Sequence, residues 1–283
     1  MATLQDFTGY APTWCPGCGD WGIGMAIKTA LVEMGFTPSS LMVTFGIGCS
    51  GNMNDFLNAY ALHGLHGRSI PTAIGMKLAN HALPVCAIAG DGDCYGEGGN
   101  HFLHACRGNH DIKVIIHDNR VYGLTTGQVA PTADKGYPSK STPSGIIEVP
   151  IDPLSLAITQ GATFVAQSFA GDLKHMSEMI KAAFNHKGFA LVNILQPCVT
   201  FNKKNTYPYY MQRVYKLDGT HNPQDKISAL QRAMELHEEK FPLGILYETT
   251  RKTYHEEAMN NVATPLLSQA RYTDFEALSD EFV

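Results

Sequence analysis

The sequence lacks any long apolar run, and its opening stretch, MATLQDFTGYAPTW, has neither a basic region nor an apolar one. The first absence excludes a membrane-spanning helix, and the second gives no sign of an export signal, so a cytoplasmic protein is the expectation. Charge is also sparse. Only 17% of the 283 residues are charged and the net charge is −5, which leaves no basic footprint for nucleic acid. There is no internal repeat and no low-complexity segment. What is present is a hydrophobic fraction of 44%, enough for a substantial core, and seven cysteines at positions 15, 18, 49, 86, 94, 106 and 198. An odd number of thiols in a large chain without an export signal argues against a disulfide framework. It points instead to metal or redox chemistry.

The periodic signals alternate along the chain. Residues 20–35 read as a helix stopped by Gly35, and SLMVTFGIG (40–48) reads as a buried strand ending in glycines. Helical patterns recur at 69–80 and 98–109, and short apolar strands at 83–90 and 112–119. The stretch 161–196 repeats the strand–helix–strand order. This alternation predicts an α/β fold, a parallel sheet covered by helices on both faces. Beyond residue 200 the texture turns polar and aromatic, followed by one amphipathic helix over 223–241 and little core signal after it. The expected organisation is an α/β domain over 1–199 and an extension over 200–283 that wraps it or faces a partner.

The most informative stretch is AIAGDGDCYGEGGNHFLHACRGNHDIKVIIHDNRVYGLTTGQ (87–128). Gly90-Asp91-Gly92 follows one predicted strand and Asp118-Asn119 ends the next. In an open parallel sheet, ligands bind outside the carboxyl ends of the strands. Asp91 and Asn119 are therefore expected in one crevice, separated only by the crossover helix. A carboxylate, an amide oxygen and a nearby carbonyl are hard ligands suited to Mg²⁺ carrying a diphosphate. Glycines and a following helix N-terminus suit the phosphates themselves. The bland alternative is a glycine-rich turn and an unrelated Asp-Asn turn.

The spacing resembles the thiamine-diphosphate motif. With WCPGCG, GIGCSGN, HGLHGRSIPTAIGMKLAN, NRVYGLTTGQVAPT and QPCVTFN, taken in order over about residues 10–215, the chain resembles the β subunit of 2-oxoacid:ferredoxin oxidoreductases. The resemblance implies that Asp91, Asn119 and the Val121 carbonyl hold Mg²⁺. It implies that Gly92, Asp93, Gly123 and Leu124 line the diphosphate, with Ile47, Gly48, Cys49 and Ser50 on the thiazolium side and His66 at the phosphate. His66 and Arg68 belong to an active-site HGR, and Thr125 and Thr126 fall near the carbonyl pocket. The implied reaction is oxidative decarboxylation of a 2-oxoacid, with coenzyme A taking the acyl group and electrons leaving for ferredoxin.

Read by itself, Trp14-Cys15-Pro16-Gly17-Cys18 fits a redox dithiol, half a zinc site or half an iron–sulfur site. A thioredoxin motif needs an apolar strand before it, which DFTGYAP is not, and a zinc ribbon needs a second Cys-x-x-Cys, which is missing. The resemblance supplies two further ligands, so that Cys15, Cys18, Cys49 and Cys198 bind a [4Fe–4S] cluster. Cys86, Cys94 and Cys106 are read as structural. The resemblance also places the glutamate that activates thiamine on another chain, and 283 residues leave no room for a second α/β domain. An α subunit, in an (αβ)₂ assembly, is the expected partner. The substrate expectation is 2-oxoglutarate, with Arg68 or Thr126 at its second carboxylate, and pyruvate or a broad range of 2-oxoacids as the alternative. A non-catalytic iron–sulfur electron-transfer subunit is the rival of another class.

Overall fold

The structure is a computed structural model that describes residues 2–258, 264–269 and 279–280. The strands are β1 (Met42–Phe45), β2 (Tyr60–His63), β3 (Val85–Gly90), β4 (Lys113–Asp118), β5 (Val121–Tyr122), β6 (Gln128–Val129), β7 (Phe164–Phe169), β8 (Ala190–Leu195), β9 (Val214–Lys216) and β10 (Phe241–Glu248). The helices are α1 (Gly19–Glu33), α2 (Met53–Phe56), α3 (Ser69–Ala79), α4 (Gly99–Gly108), α5 (Pro153–Gln160), α6 (Leu173–Asn185), α7 (Tyr207–Met211), α8 (Lys226–Met234) and α9 (Tyr254–Ala258). Strands β5 and β6 form a separate hairpin, and the rest form one eight-stranded sheet in the order β2-β1-β3-β4-β8-β7-β10-β9.

The six strands from β2 to β7 run parallel, and β10 turns back antiparallel to β7. The central strands VCAIAG, KVIIHD, ALVNIL and FVAQSF are near-continuous apolar runs, as strands buried on both faces must be. Alternate side chains go to opposite faces. Cys86 and Ile88 of β3 pack with Ile23, Ile27 and Leu31 of α1 and Met176 and Ile180 of α6. Val85, Ala87 and Ala89 pack on the other side with Phe102 of α4, Ile158 of α5 and Ala229 of α8. Aspartate caps mark the starts of α5, α6 and α8. Asp152 accepts from the Ser155 amide at 3.0 Å before α5, and Asp172 accepts from the His175 amide at 3.0 Å before α6.

The boundary expected near residue 199 does not divide the sheet. Strands β9 and β10 from the C-terminal part join the sheet as its far edge, and Phe241, Leu243 and Leu246 are buried against it. The expected lack of core signal beyond 241 is thus corrected. FPLGILYE hides a strand because Pro242 and Gly244 break its pattern, and Gly244 takes φ +136°. The helix expected over 223–241 stops at Met234 and continues as a single 3₁₀ turn, Glu235–Glu238. The final residues expected to belong to the extension lie largely outside the described residues.

Away from the site, Asp111 ties the start of β4 to α3 and to the loop before β8. Its carboxylate lies 2.8 Å from both Lys77 Nζ and Lys113 Nζ and accepts from the Gly188 amide at 3.1 Å. Burial pushes its pKa up, but the two ammonium groups outweigh that and hold it below the usual carboxylate range. A depressed folded pKa stabilises the fold above the unfolded value near ~4 and the contribution is lost as pH falls below it. Asp111→Ala is expected to lower the unfolding free energy at pH 7 by about 3 kcal/mol, because two ammonium groups lose their partner. Chemical denaturation at pH 7 and pH 3 checks this. The deficit should shrink at pH 3, and a deficit independent of pH would contradict it.

Candidate functional site: two cavities at the carboxyl ends of four strands

Four adjacent parallel strands, β1, β3, β4 and β8, end on the same edge of the sheet. Each is followed at once by residues singled out in the sequence: Gly46–Ser50 after β1, Asp91 after β3, Asn119 after β4 and Cys198 after β8. The ends are stitched together by main-chain bonds, from the Gly46 amide to the Ile88 carbonyl at 2.9 Å and from the Gln196 amide to the Asp118 carbonyl at 2.8 Å.

The first cavity is lined by Ile47, Gly48, Cys49 and Ser50 from the β1 end and by Gly90 to Asp93 from the β3 end. Asn119, Val121, Gly123, Leu124 and Thr125, with His66, complete it among the residues expected at the cofactor. After Gly90 the chain makes a π-helical turn, Gly92–Glu97, before entering α4. A Cβ on Gly92 would lie 2.4 Å from the Tyr122 ring, so only glycine lets that ring close over the loop. Arg120 adopts φ +61° between Asn119 and Val121, which reverses the chain so that both neighbours reach the cavity. The turn is held by the Arg120 amide, which donates to Asp91 Oδ2 at 2.9 Å, and by an ion pair between the buried Arg120 guanidinium and Asp134.

Asp91 is buried, and Thr132 also donates to its carboxylate. Burial first and the neighbouring Asp118 carboxylate second push its pKa up to about 8. Asp118 lies outside this cavity, with Asn193 donating to its Oδ2 at 3.1 Å and the Arg120 guanidinium nearby, so Asp91 is the buried carboxylate of the cavity lining. Asp93 lines the same cavity and also ties its loops together. Its Oδ1 accepts from the Ile47 amide at 2.9 Å and the Gly67 amide at 2.8 Å, and lies 2.9 Å from His66 Nδ1. It clamps three loops together. Gly67 meets it with φ +69° and no room for a Cβ, which would lie 2.5 Å from the Glu97 carbonyl carbon.

Two expected catalytic residues fall elsewhere. Arg68 is exposed, with its guanidinium on the Gly67 and Glu97 carbonyls at 3.2 Å, and it is not part of the cavity wall. Thr126 turns out to solvent at φ +73°. Its neighbour Thr125 does line the cavity, with its hydroxyl on Gln128. Glycine-rich loops give no periodicity from which such orientations follow.

The second cavity, about 650 Å³, is lined by Cys15, Cys18, Cys49 and Cys198 together with Trp14, Asp20 and Phe201. Cys49, Asn119, Gly123 and Leu124 belong to both cavities and form the wall between them. The Cys-x-x-Cys turn is fixed by the Trp14 indole, which donates to the Cys49 carbonyl at 2.8 Å, and by the Gly19 amide, which donates to the Pro197 carbonyl at 3.2 Å. Burial pushes the Cys18 thiol far up and the Cys49 thiol up to about 12, so without a positive partner both stay protonated. Among the described residues no three His, Cys, Asp or Glu side chains converge to ligate a single metal ion. The four thiols surround a space instead. Cys86, Cys94 and Cys106 are buried in the core, away from both cavities.

Residues the sequence reading passed over also line these walls: His117, Tyr122 and Gln196 in the first cavity and Asp20 in the second. Asp20 Oδ1 lies 2.6 Å from His117 Nδ1, and Asp20 Oδ2 accepts from the Cys18 thiol at 3.2 Å. Their signal was proximity in sequence to the motif residues Cys18, Asn119 and Cys198.

The fold and this pair of strand ends define the class, a thiamine-pyrophosphate-binding domain. Residues 46–194 match the C-terminal TPP-binding domain of thiamine pyrophosphate enzymes, and residues 198–262 match the C-terminal region of the pyruvate ferredoxin oxidoreductase β subunit. The chain is 44% identical over 257 residues to the 2-oxoacid:ferredoxin oxidoreductase subunit beta of Saccharolobus solfataricus, covering 86% of this chain and 84% of the relative. It is 42% identical over 199 residues to the 2-oxoglutarate oxidoreductase subunit KorB of Mycobacterium tuberculosis, covering 70% and 53%. A solved 2-oxoglutarate:ferredoxin oxidoreductase from Magnetococcus marinus, with 2-oxoglutarate, coenzyme A and succinyl-CoA bound, superposes with a TM-score of 0.89 at 35% identity over 98% of this chain and 95% of that one. The chain belongs to the family of 2-oxoacid:ferredoxin oxidoreductase β subunits. Among the described residues no helix is long and apolar enough to cross a membrane.

Asp91→Ala is expected to weaken retention of thiamine diphosphate roughly 100-fold, equivalent to about 3 kcal/mol for one charged contact. Calorimetric titration of the cofactor into the assembled enzyme checks it, and unchanged affinity would contradict the placement of the first cavity.

Proposed function

We propose that this chain, paired with an α subunit in an (αβ)₂ assembly, carries out coenzyme A-dependent oxidative decarboxylation of a 2-oxoacid, with 2-oxoglutarate as the preferred substrate. Electrons then leave for ferredoxin through a [4Fe–4S] cluster held by Cys15, Cys18, Cys49 and Cys198. Mg²⁺ is held by Asp91, Asn119 and the Val121 carbonyl. When bound, thiamine diphosphate supplies an electron sink for the loss of CO₂, and the cluster accepts electrons one at a time.

The observation that carries the reading is the shared wall. Four thiols bound a cavity that abuts the one holding Asp91 and Asn119, and Cys49 belongs to both. Hard oxygen donors sit on one side and soft sulfur donors on the other, which suits Mg²⁺ and iron–sulfur chemistry respectively. The buried Asp91 carboxylate in the cavity lining fits a divalent cation, and its charged form would be costly without one. In the chain's own chemistry, the amides gathered by Asp93 order the loops around the diphosphate, which Gly123 and Leu124 also line. A thiol–disulfide role fits poorly, because no apolar strand leads into the Cys-x-x-Cys turn. Leu65 and Leu124, both exposed beside the first cavity, suit an α subunit that closes over the cofactor.

For the substrate, support comes from relatives and a solved neighbour named for 2-oxoglutarate. A broader 2-oxoacid range is favoured by the cavity itself. Its lining has no lysine or arginine for a second carboxylate, which leaves that contact to the α subunit. Initial rates of the assembled enzyme with 2-oxoglutarate, pyruvate and 2-oxobutyrate, with coenzyme A and ferredoxin supplied, test this. The expected result is at least tenfold higher kcat/KM for 2-oxoglutarate, and a preference for pyruvate would contradict it. Cys198→Ser is expected to lose most of the iron and the ferredoxin reduction while keeping thiamine diphosphate. Full iron content in that variant would remove the cluster assignment.

A further inference from the structure

Gln196 is almost fully buried, lines the first cavity and touches Cys18, a residue of the second. Its Nε2 lies 3.2 Å from Cys18 Sγ and donates to it, while its Oε1 has no partner in the chain. The stem of the side chain is held in place. The Gln196 amide is fixed on the Asp118 carbonyl at 2.8 Å, and a Cβ on Gly19 would lie 2.5 Å from Gln196 Cγ, so the stem is pressed against the start of α1. A thiolate bound to iron accepts hydrogen bonds and donates none. The NH₂ end must therefore stay on sulfur, which leaves the unpartnered carbonyl end on a side chain that lines the thiamine cavity.

We propose that Gln196 couples the two cavities, setting the reduction potential of a cluster at Cys18 according to whether the thiamine cavity is filled. The inference rests on the cluster assignment made above. A buried carbonyl oxygen without a donor is an unmet demand. A filled cavity meets it, either through a polar group of the cofactor or through water ordered by it. A hydrogen bond received at Oε1 polarises the amide and strengthens its N–H as a donor at the other end. Hydrogen bonds to cluster sulfurs stabilise the more negative, reduced state and raise the potential. Filling the cavity thus makes the cluster a better electron acceptor at the moment an electron source is present. By reciprocity, the reduced enzyme holds thiamine diphosphate more tightly than the oxidised one.

His117 and Asp20 run beside this route. His117 Nε2 is also buried in the first cavity without a partner, and its Nδ1 is 2.6 Å from Asp20 Oδ1. That path reaches Cys18 through a carboxylate, which brings no N–H to the sulfur. Gln196 is the direct donor, and leaving His117 and Asp20 intact isolates its effect.

The test is an anaerobic redox titration of the assembled enzyme followed by EPR, with and without thiamine diphosphate, for the wild type, Gln196→Leu and Gln196→Glu. Iron and sulfide per β chain are measured on the same samples. The thiazolium charge raises the potential in every protein, so the comparison lies in the size of the rise. The expected result is a lower cofactor-free potential in both variants and a cofactor-induced rise less than half that of the wild type. An unchanged potential and an equal rise in iron-replete variants would overturn the inference. Loss of the cluster from both variants would also overturn it, by making Gln196 a requirement for assembly rather than a tuning group. A wild-type enzyme without iron or sulfide would instead overturn the cluster assignment itself.

Discussion

Hydrogen-bonded register between neighbouring parallel strands is what brings the chemistry of this chain together. Cys86 to Gly90 of β3 pair with Lys113 to His117 of β4, and Lys113 to Asp118 pair with Ala190 to Leu195 of β8. Because those strands start in step and run in the same direction, their ends arrive in step. Asp91, Asn119 and Cys198 then leave the sheet along one edge. A slip of one residue would turn every side chain to the opposite face. The apolar runs buried on both faces by α1 and α6 and by α3, α4, α5 and α8 prevent such a slip. The core thus supplies both stability and the coordinates of the site.

At that edge the chain concentrates groups that water would otherwise have to solvate. Asp91 and Asp118 are buried carboxylates, and Cys18 and Cys198 are buried thiols. Each arrangement is unfavourable for the charged side chain alone and becomes favourable when a cation or an iron–sulfur group supplies the opposite charge. Asp91 lines one cavity alone and Cys15, Cys18 and Cys198 the other, with Cys49 and Asn119 common to both. Their partition is no thicker than Cys49, Asn119, Gly123 and Leu124. Gly123 sits against both Cys49 and Cys198, since a Cβ there would lie 3.5 Å from Cys49 Sγ and 3.6 Å from Cys198 Sγ.

Much of this was legible in the sequence. Asp91 and Asn119 could be placed in one crevice because each follows a strongly apolar strand, and sheet topology does the rest. The grouping of Cys198 with Cys15, Cys18 and Cys49 needed the family resemblance, because the residues between them carry no spacing rule. What remained hidden had specific causes. Strand β10 is interrupted by Pro242 and Gly244. Strand β2, the exposed edge strand YALH, offers no buried pattern. The departure of Arg68 and Thr126 from the cavity depends on loop dihedrals that composition does not encode. Gln196 and His117 read as ordinary strand-end polar residues, and only their unpaired buried atoms reveal that they face a ligand space.

The central claim is that thiamine diphosphate and the iron–sulfur cluster sit on opposite sides of one thin wall of this chain. Electron–nuclear double resonance on the reduced cluster, with thiamine diphosphate carrying ¹³C at the thiazolium carbon between nitrogen and sulfur, tests it most directly. The account predicts a resolved ¹³C coupling that disappears when unlabelled cofactor is exchanged in. No coupling, in a sample shown to hold both groups at full occupancy, would contradict it.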